Sequence, residues 1–95
     1  MIVQRCTFQV KGRQRRAAAE LARAERERTG GTFRIYLSYL GRYDTIVTEF
    51  EFEDLEAMET FWSEWFADPE SDAFLEKWNN LLEAPRTNEV WTVVE

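Results

Sequence analysis

Arg34, Tyr36, Glu49 and Glu51 are the side chains whose types and spacing suit acid–base work or the holding of an anion. An arginine offers a planar fork to a carboxylate or enolate. A tyrosine hydroxyl donates a hydrogen bond, and a glutamate partly withdrawn from water has a raised pKa suited to moving a proton. With Gly41-Arg42-Tyr43-Asp44 as a turn, Leu40 faces Thr45, Tyr36 lies beside Glu49 and Arg34 beside Glu51. Arg34, Tyr36 and Glu49 are then the catalytic candidates. Arg5, Thr7, Ser38 and Glu51 share their face as ligand-binding candidates. The competing reading is a set of cross-strand ion pairs that fix register and dimer specificity, at about 0.2–1 kcal/mol each. Charged pairs are commonly structural only, and structural pairing is the favourite.

The elements that must position these residues follow from the alternation of apolar and polar positions. Phe33, Ile35, Leu37 and Tyr39 form one face of a two-stranded ribbon with Ile46, Thr48, Phe50 and Phe52, and that face needs helices over it. Ile2 to Val10 alternates as a first strand, ended by Gly12. Arg13 to Thr29 consists largely of Ala, Arg, Glu and Leu, strong helix formers, and Gly30-Gly31 stops it. Its inner face is mostly Ala with Leu21, and Arg16 with Glu20 and Arg23 with Glu27 are spaced for i,i+4 pairs. Asp54 can cap a helix whose stripe is Leu55, Met58, Phe61, Trp62, Trp65 and Phe66. Asp68-Pro69-Glu70 starts another, carrying Phe74, Leu75, Trp78, Leu81 and Leu82. Ala84-Pro85 reads as a break, and Asn88 to Glu95 as the last strand, with the facing of Trp91 open.

Strand, helix, strand, strand, helix pair, strand is a βαββαβ order. It predicts one α+β domain over residues 1–95: a four-stranded antiparallel sheet with its helices on one face, the ferredoxin-like arrangement. The other sheet face is bare and mixes Val3, Tyr36, Leu40 and Val47 with charges. Such a face predicts an isologous homodimer with a partly polar space between the sheets. A second candidate site is aromatic: Trp62, Trp65 and Trp78, with Phe66 and Phe74, could wall a pocket for a flat organic ligand between helices and sheet. At helical spacing such residues are more often plain core, although the indole N–H groups still need acceptors.

Composition removes several classes of function. The sequence holds no histidine, which takes away the commonest general base, zinc ligand and haem ligand. Neither phosphate loops nor catalytic triads are present, and no metal site is expected. No apolar run reaches the 18 or so residues of a membrane span, and no secretion signal is read at the N-terminus. A lone Cys6 in a strand pattern suits a small buried side chain in a reducing cytoplasm. Met1 to Tyr43 carries ten Lys/Arg against three Asp/Glu, and Asp44 to Glu95 carries two against fifteen. That acidic half argues against nucleic acid and for a basic helix complementing acidic neighbours.

The segments Arg34-Ile35-Tyr36 to Gly41, Val47 to Glu56 and Phe61-Trp62-Ser63-Glu64-Trp65-Phe66 into Asp68-Pro69-Glu70 carry a resemblance. The chain resembles the NIPSNAP-like branch of the dimeric α/β-barrel superfamily, which includes antibiotic-biosynthesis-type monooxygenases. The resemblance implies subunits paired through their bare sheet faces and, in active members, chemistry in or beside the barrel interior. It departs from the family in lacking a proline after the first strand and the histidine of haem-handling relatives. No cofactor is therefore expected. Two readings follow. One is a cofactor-independent oxygenase or isomerase-type enzyme for a small aromatic or polyketide-like compound, with Arg34 holding an oxyanion, Tyr36 donating and Glu49 moving the proton. The other is a non-catalytic ligand-binding or interaction module whose charged sheet face serves dimerisation.

Overall fold

The computed structural model describes residues 1–95, apart from the side chain of Pro85. Its elements are β1 (Ile2–Val10), α1 (Arg15–Thr29), β2 (Arg34–Leu37), β3 (Thr45–Phe52), α2 (Leu55–Ala67), α3 (Pro69–Leu81) and β4 (Leu82–Thr92). The strands form one antiparallel sheet in the order β2-β3-β1-β4. Because β1 pairs with both β3 and β4, each helical connection must cross the sheet, and the chain adopts the ferredoxin-like α+β arrangement with its helices on one face. No described helix is long and apolar enough to cross a membrane.

Helix boundaries follow local chemistry. Arg13 adopts a left-handed φ of 68°, so α1 begins at Arg15, two residues later than the composition predicts. Gly30 closes it in the left-handed region, where a side chain would be strained. The Asp54 carboxylate accepts from the Ala57 N–H at 2.8 Å and caps α2. Asp68 accepts from the Glu70 N–H at 3.0 Å and caps α3, whose first residue, Pro69, has no donor to lose.

Two small residues of α1, Ala18 and Ala22, let that helix lie close on Val10 and Ile46, and Trp78 and Leu82 complete the buried core. The apolar side of the sheet continues into an aromatic cluster centred on Phe50, whose ring lies 4.6 Å from Phe33 and 5.0 Å from Trp62.

The β2–β3 register differs from the one the turn residues suggested. Arg34 faces Glu49 and Tyr36 faces Val47, a slip of two residues. β2 ends at Leu37, and Ser38 to Asp44 form a longer loop with Gly41 at φ 117° and Asp44 at φ 56°, closed by Ser38 N–H donating to the Thr45 carbonyl at 3.1 Å. A slip of two preserves which residues share a face, whereas a slip of one would have inverted the sheet. β4 also departs from expectation, starting at Leu82 and ending at Thr92. What reads as a break near Ala84 is a register shift opposite Phe8 and Gln9. An edge strand can absorb such an irregularity without ending.

Candidate functional site

The bare sheet face is built from opposed residues. The β4, β1 and β3 pairings set Trp91, Val3 and Glu51 in one row, Glu89, Arg5 and Glu49 in the next, and Thr87, Thr7 and Val47 in the third. β2 extends the second row by Arg34 and the third by Tyr36. The middle row therefore alternates in charge: Glu89, Arg5, Glu49, Arg34. Directly opposed residues of antiparallel strands project to the same side. Trp91, whose facing the sequence left open, therefore lies on this face and is half exposed.

Glu49 is the hub of the row, its side chain only 11% exposed. Arg5 donates to one carboxylate oxygen from Nη2 at 2.7 Å and Nε at 3.1 Å, and the Tyr36 hydroxyl donates to the other at 3.1 Å. These contacts hold the Glu49 carboxyl below its ordinary value, the Arg5 hydrogen bond contributing most and Tyr36 and Arg34 adding to it against the cost of burial. The sequence expectation was the reverse, a pKa raised by desolvation. Burial is real here, but both carboxylate oxygens receive donors, and the result is a well-held anion. The Arg5 guanidinium is raised in turn by Glu49.

Arg34 is exposed and makes no salt bridge among the described residues, in place of the expected pairing with Glu51. Its pKa is raised by Tyr36 first and then by Glu51 and Glu49. Arg34, Glu49, Glu51 and Thr32 line a cavity of about 190 Å³. Thr7 is on the face, opposite Val47 and Thr87. Ser38 is not: the chain has already left β2 there, so it does not join the row.

On the other side of the sheet lies a chamber of about 150 Å³. Trp62, Trp65 and Trp78 line it with rings from Phe8, Phe50 and Phe74. Two of its indoles are fixed: Trp62 Nε1 donates to Gln4 Oε1 at 2.7 Å and Trp65 Nε1 to Glu25 Oε2 at 2.8 Å. Cys6 also borders the chamber, its thiol pushed up by burial. Among the described residues no buried side-chain polar atom lacks a partner.

Glu25 of α1 is 7% exposed. Arg28 holds it with two hydrogen bonds of 2.7 Å, and the same guanidinium reaches Asp68 at 2.7 Å, Glu70 at 3.3 Å and Ser71 at 3.2 Å. The Arg16–Glu20 and Arg23–Glu27 pairs do not form. Among the described residues the basic helix complements acidic neighbours through Arg28 alone. A signal for Glu25 exists in the sequence, because 18, 22 and 25 lie on one helical face. Arg86 and Asn88, which border the opening beside β4, could not be found without the β1–β4 register.

Beside the chamber lies a wider cleft of about 480 Å³ that shares Cys6, Phe8, Trp62 and Arg86 with it. The described residues contain no group of three His, Cys, Asp or Glu side chains arranged to hold a metal ion.

The ferredoxin-like α+β fold of this chain is shared with solved NIPSNAP proteins and antibiotic biosynthesis monooxygenases. The structure superimposes on a NIPSNAP family protein from Agrobacterium tumefaciens with a TM-score of 0.86 at 15% identity, over 99% of this chain and 86% of that one. An uncharacterized NIPSNAP domain protein from Burkholderia xenovorans gives 0.86 at 14% identity, over 99% and 95%. An antibiotic biosynthesis monooxygenase gives 0.76 at 14% identity, with both chains covered completely. At these identities the likeness defines the fold. No protein-family model matches the sequence, and no curated protein matches it.

Proposed function

We propose that the protein is a homodimeric small-molecule binding protein, working in a reducing cytoplasm, whose ligand is a planar apolar molecule held in the chamber between sheet and helices. The observation carrying this reading is the chamber itself: an aromatic-lined cavity in which the Trp62 and Trp65 N–H groups are already satisfied. An apolar cavity of roughly 150 Å³ is large enough for one benzene ring. The bare face supports the dimer. Trp91 and Tyr36 are 52% and 41% exposed there, and an alternating row of charges is self-complementary under a two-fold axis.

The enzymatic reading needs a group that takes a proton from the substrate. Glu49 is a poor one, since its carboxyl is held low and both its oxygens are engaged. Binding without turnover is therefore favoured over an oxygenase or isomerase-type activity.

Proton–nitrogen NMR of the four indole N–H groups tests the reading during titration with phenol. The Trp62 and Trp65 signals should move, while Trp91, on the opposite face, stays in place. Equal movement of all signals, or of none at millimolar phenol, would overturn it.

A further inference from the structure

The chamber and its mouth differ in one respect that bears on ligand chemistry. In a chain with 18 acidic residues, the cleft leading to the chamber contains no carboxylate, and its only charged side chain is Arg86. Arg86 also lines the chamber, so its guanidinium borders both spaces. It sits on β4 opposite Phe8, exposed, and donates from Nη1 to Asn79 Oδ1 of α3 at 3.1 Å. That bond occupies one of the five N–H donors a guanidinium carries. No acid forms a salt bridge with it among the described residues.

The chamber has one charged residue besides Arg86, and it is already neutralised: Glu25 is bound by Arg28 and by the Trp65 N–H. Beside the mouth, Gln4 donates to Asn88 Oδ1 at 3.1 Å while accepting from Trp62. The cleft thus adds the polar side chains Gln4, Thr87 and Asn88 to the aromatic surface and Arg86 that it shares with the chamber.

We propose that the chamber's ligand is an organic anion, with a single-ring apolar body among the aromatic side chains and a carboxylate or phenolate in the mouth against Arg86. This deepens the binding reading above and rests on it. The overall charge of −6 opposes anions only weakly at the mouth, because exposed charges farther away than about 8 Å are largely screened at physiological salt. A planar guanidinium with free donors meets a carboxylate in the bidentate geometry that a neutral amide cannot match.

Phenylacetate and its neutral isostere phenylacetamide, titrated into the protein and into Arg86→Gln with Trp62 and Trp65 indole shifts as readout, form the test. Phenylacetate should bind about tenfold more tightly than the amide in the wild type, the scale of a charge-assisted hydrogen bond discounted for exposure. Arg86→Gln should remove that preference, bringing phenylacetate to the affinity of phenylacetamide. Binding of the amide with no preference for the acid would overturn the anion proposal and leave the chamber reading standing. A preference that survives Arg86→Gln would overturn it too. Failure of both compounds to move the indole signals would overturn both readings.

Discussion

Replacing Arg28 by Met removes the cation that joins α1 to the α2–α3 corner and leaves Glu25 buried. Glu25 loses two hydrogen bonds of 2.7 Å and keeps only the Trp65 N–H at 2.8 Å. Its side chain is 8% exposed, so water cannot replace them well. Removing one partner of a fully buried pair costs about 3–5 kcal/mol. The Arg28 side chain is itself 25% exposed and one donor remains, so about 2–3 kcal/mol is expected here. At a urea slope of about 1 kcal/mol per M, the unfolding midpoint should fall by about 2–3 M. Adding Glu25→Gln removes the stranded charge while keeping an acceptor for Trp65. The double variant should recover most of the loss. Urea unfolding followed by tryptophan fluorescence reads both. A loss under about 0.5 kcal/mol for Arg28→Met, as an exposed pair would give, would refute the argument. So would a double variant no more stable than the single one.

Glu49 supplies a pH test. Its folded-state pKa lies below the ordinary 4.5, so its contribution is fully present above that value and is lost as pH falls through the folded pKa. Wild type should therefore be more stable than Glu49→Gln at pH 7, and the two should converge in acid below pH 4.5; an equal gap at both ends would contradict the donor arrangement. For the dimer, Trp91→Asp introduces a charge into the exposed apolar end of the bare face and should bring the light-scattering mass from twice the chain mass to the chain mass. A wild type that is already monomeric at micromolar concentration would refute the dimer.

Much of the architecture was legible because each signal is local. Asp54 and Asp68 cap helices through hydrogen bonds to N–H groups two or three residues on, so both starts could be read directly. The faces of β2 and β3 were also legible, since alternation fixes parity regardless of register. The register itself was not. The turn residues suggested a tight connection, whereas the loop closes at Ser38 and Thr45, moving Arg34 from Glu51 to Glu49. The hydrogen bonds of Glu49 were hidden for a related reason: its main donor, Arg5, comes from a strand forty-four residues away.

By itself, the sequence determined the element order, the helix caps, the apolar and charged faces of the ribbon, and the histidine-free chemistry, all of which depend on neighbours within a few residues. Tertiary structure alone decided which cation meets which anion. It put Arg28 on Asp68, Arg5 on Glu49, and Trp91 on the bare face, and it brought Arg86 to the mouth of the chamber. Those outcomes require the packing of strands and helices distant in the chain. An ion pair's partner is chosen by distance in space, about which residue spacing along the chain carries no information once the elements fold back on one another.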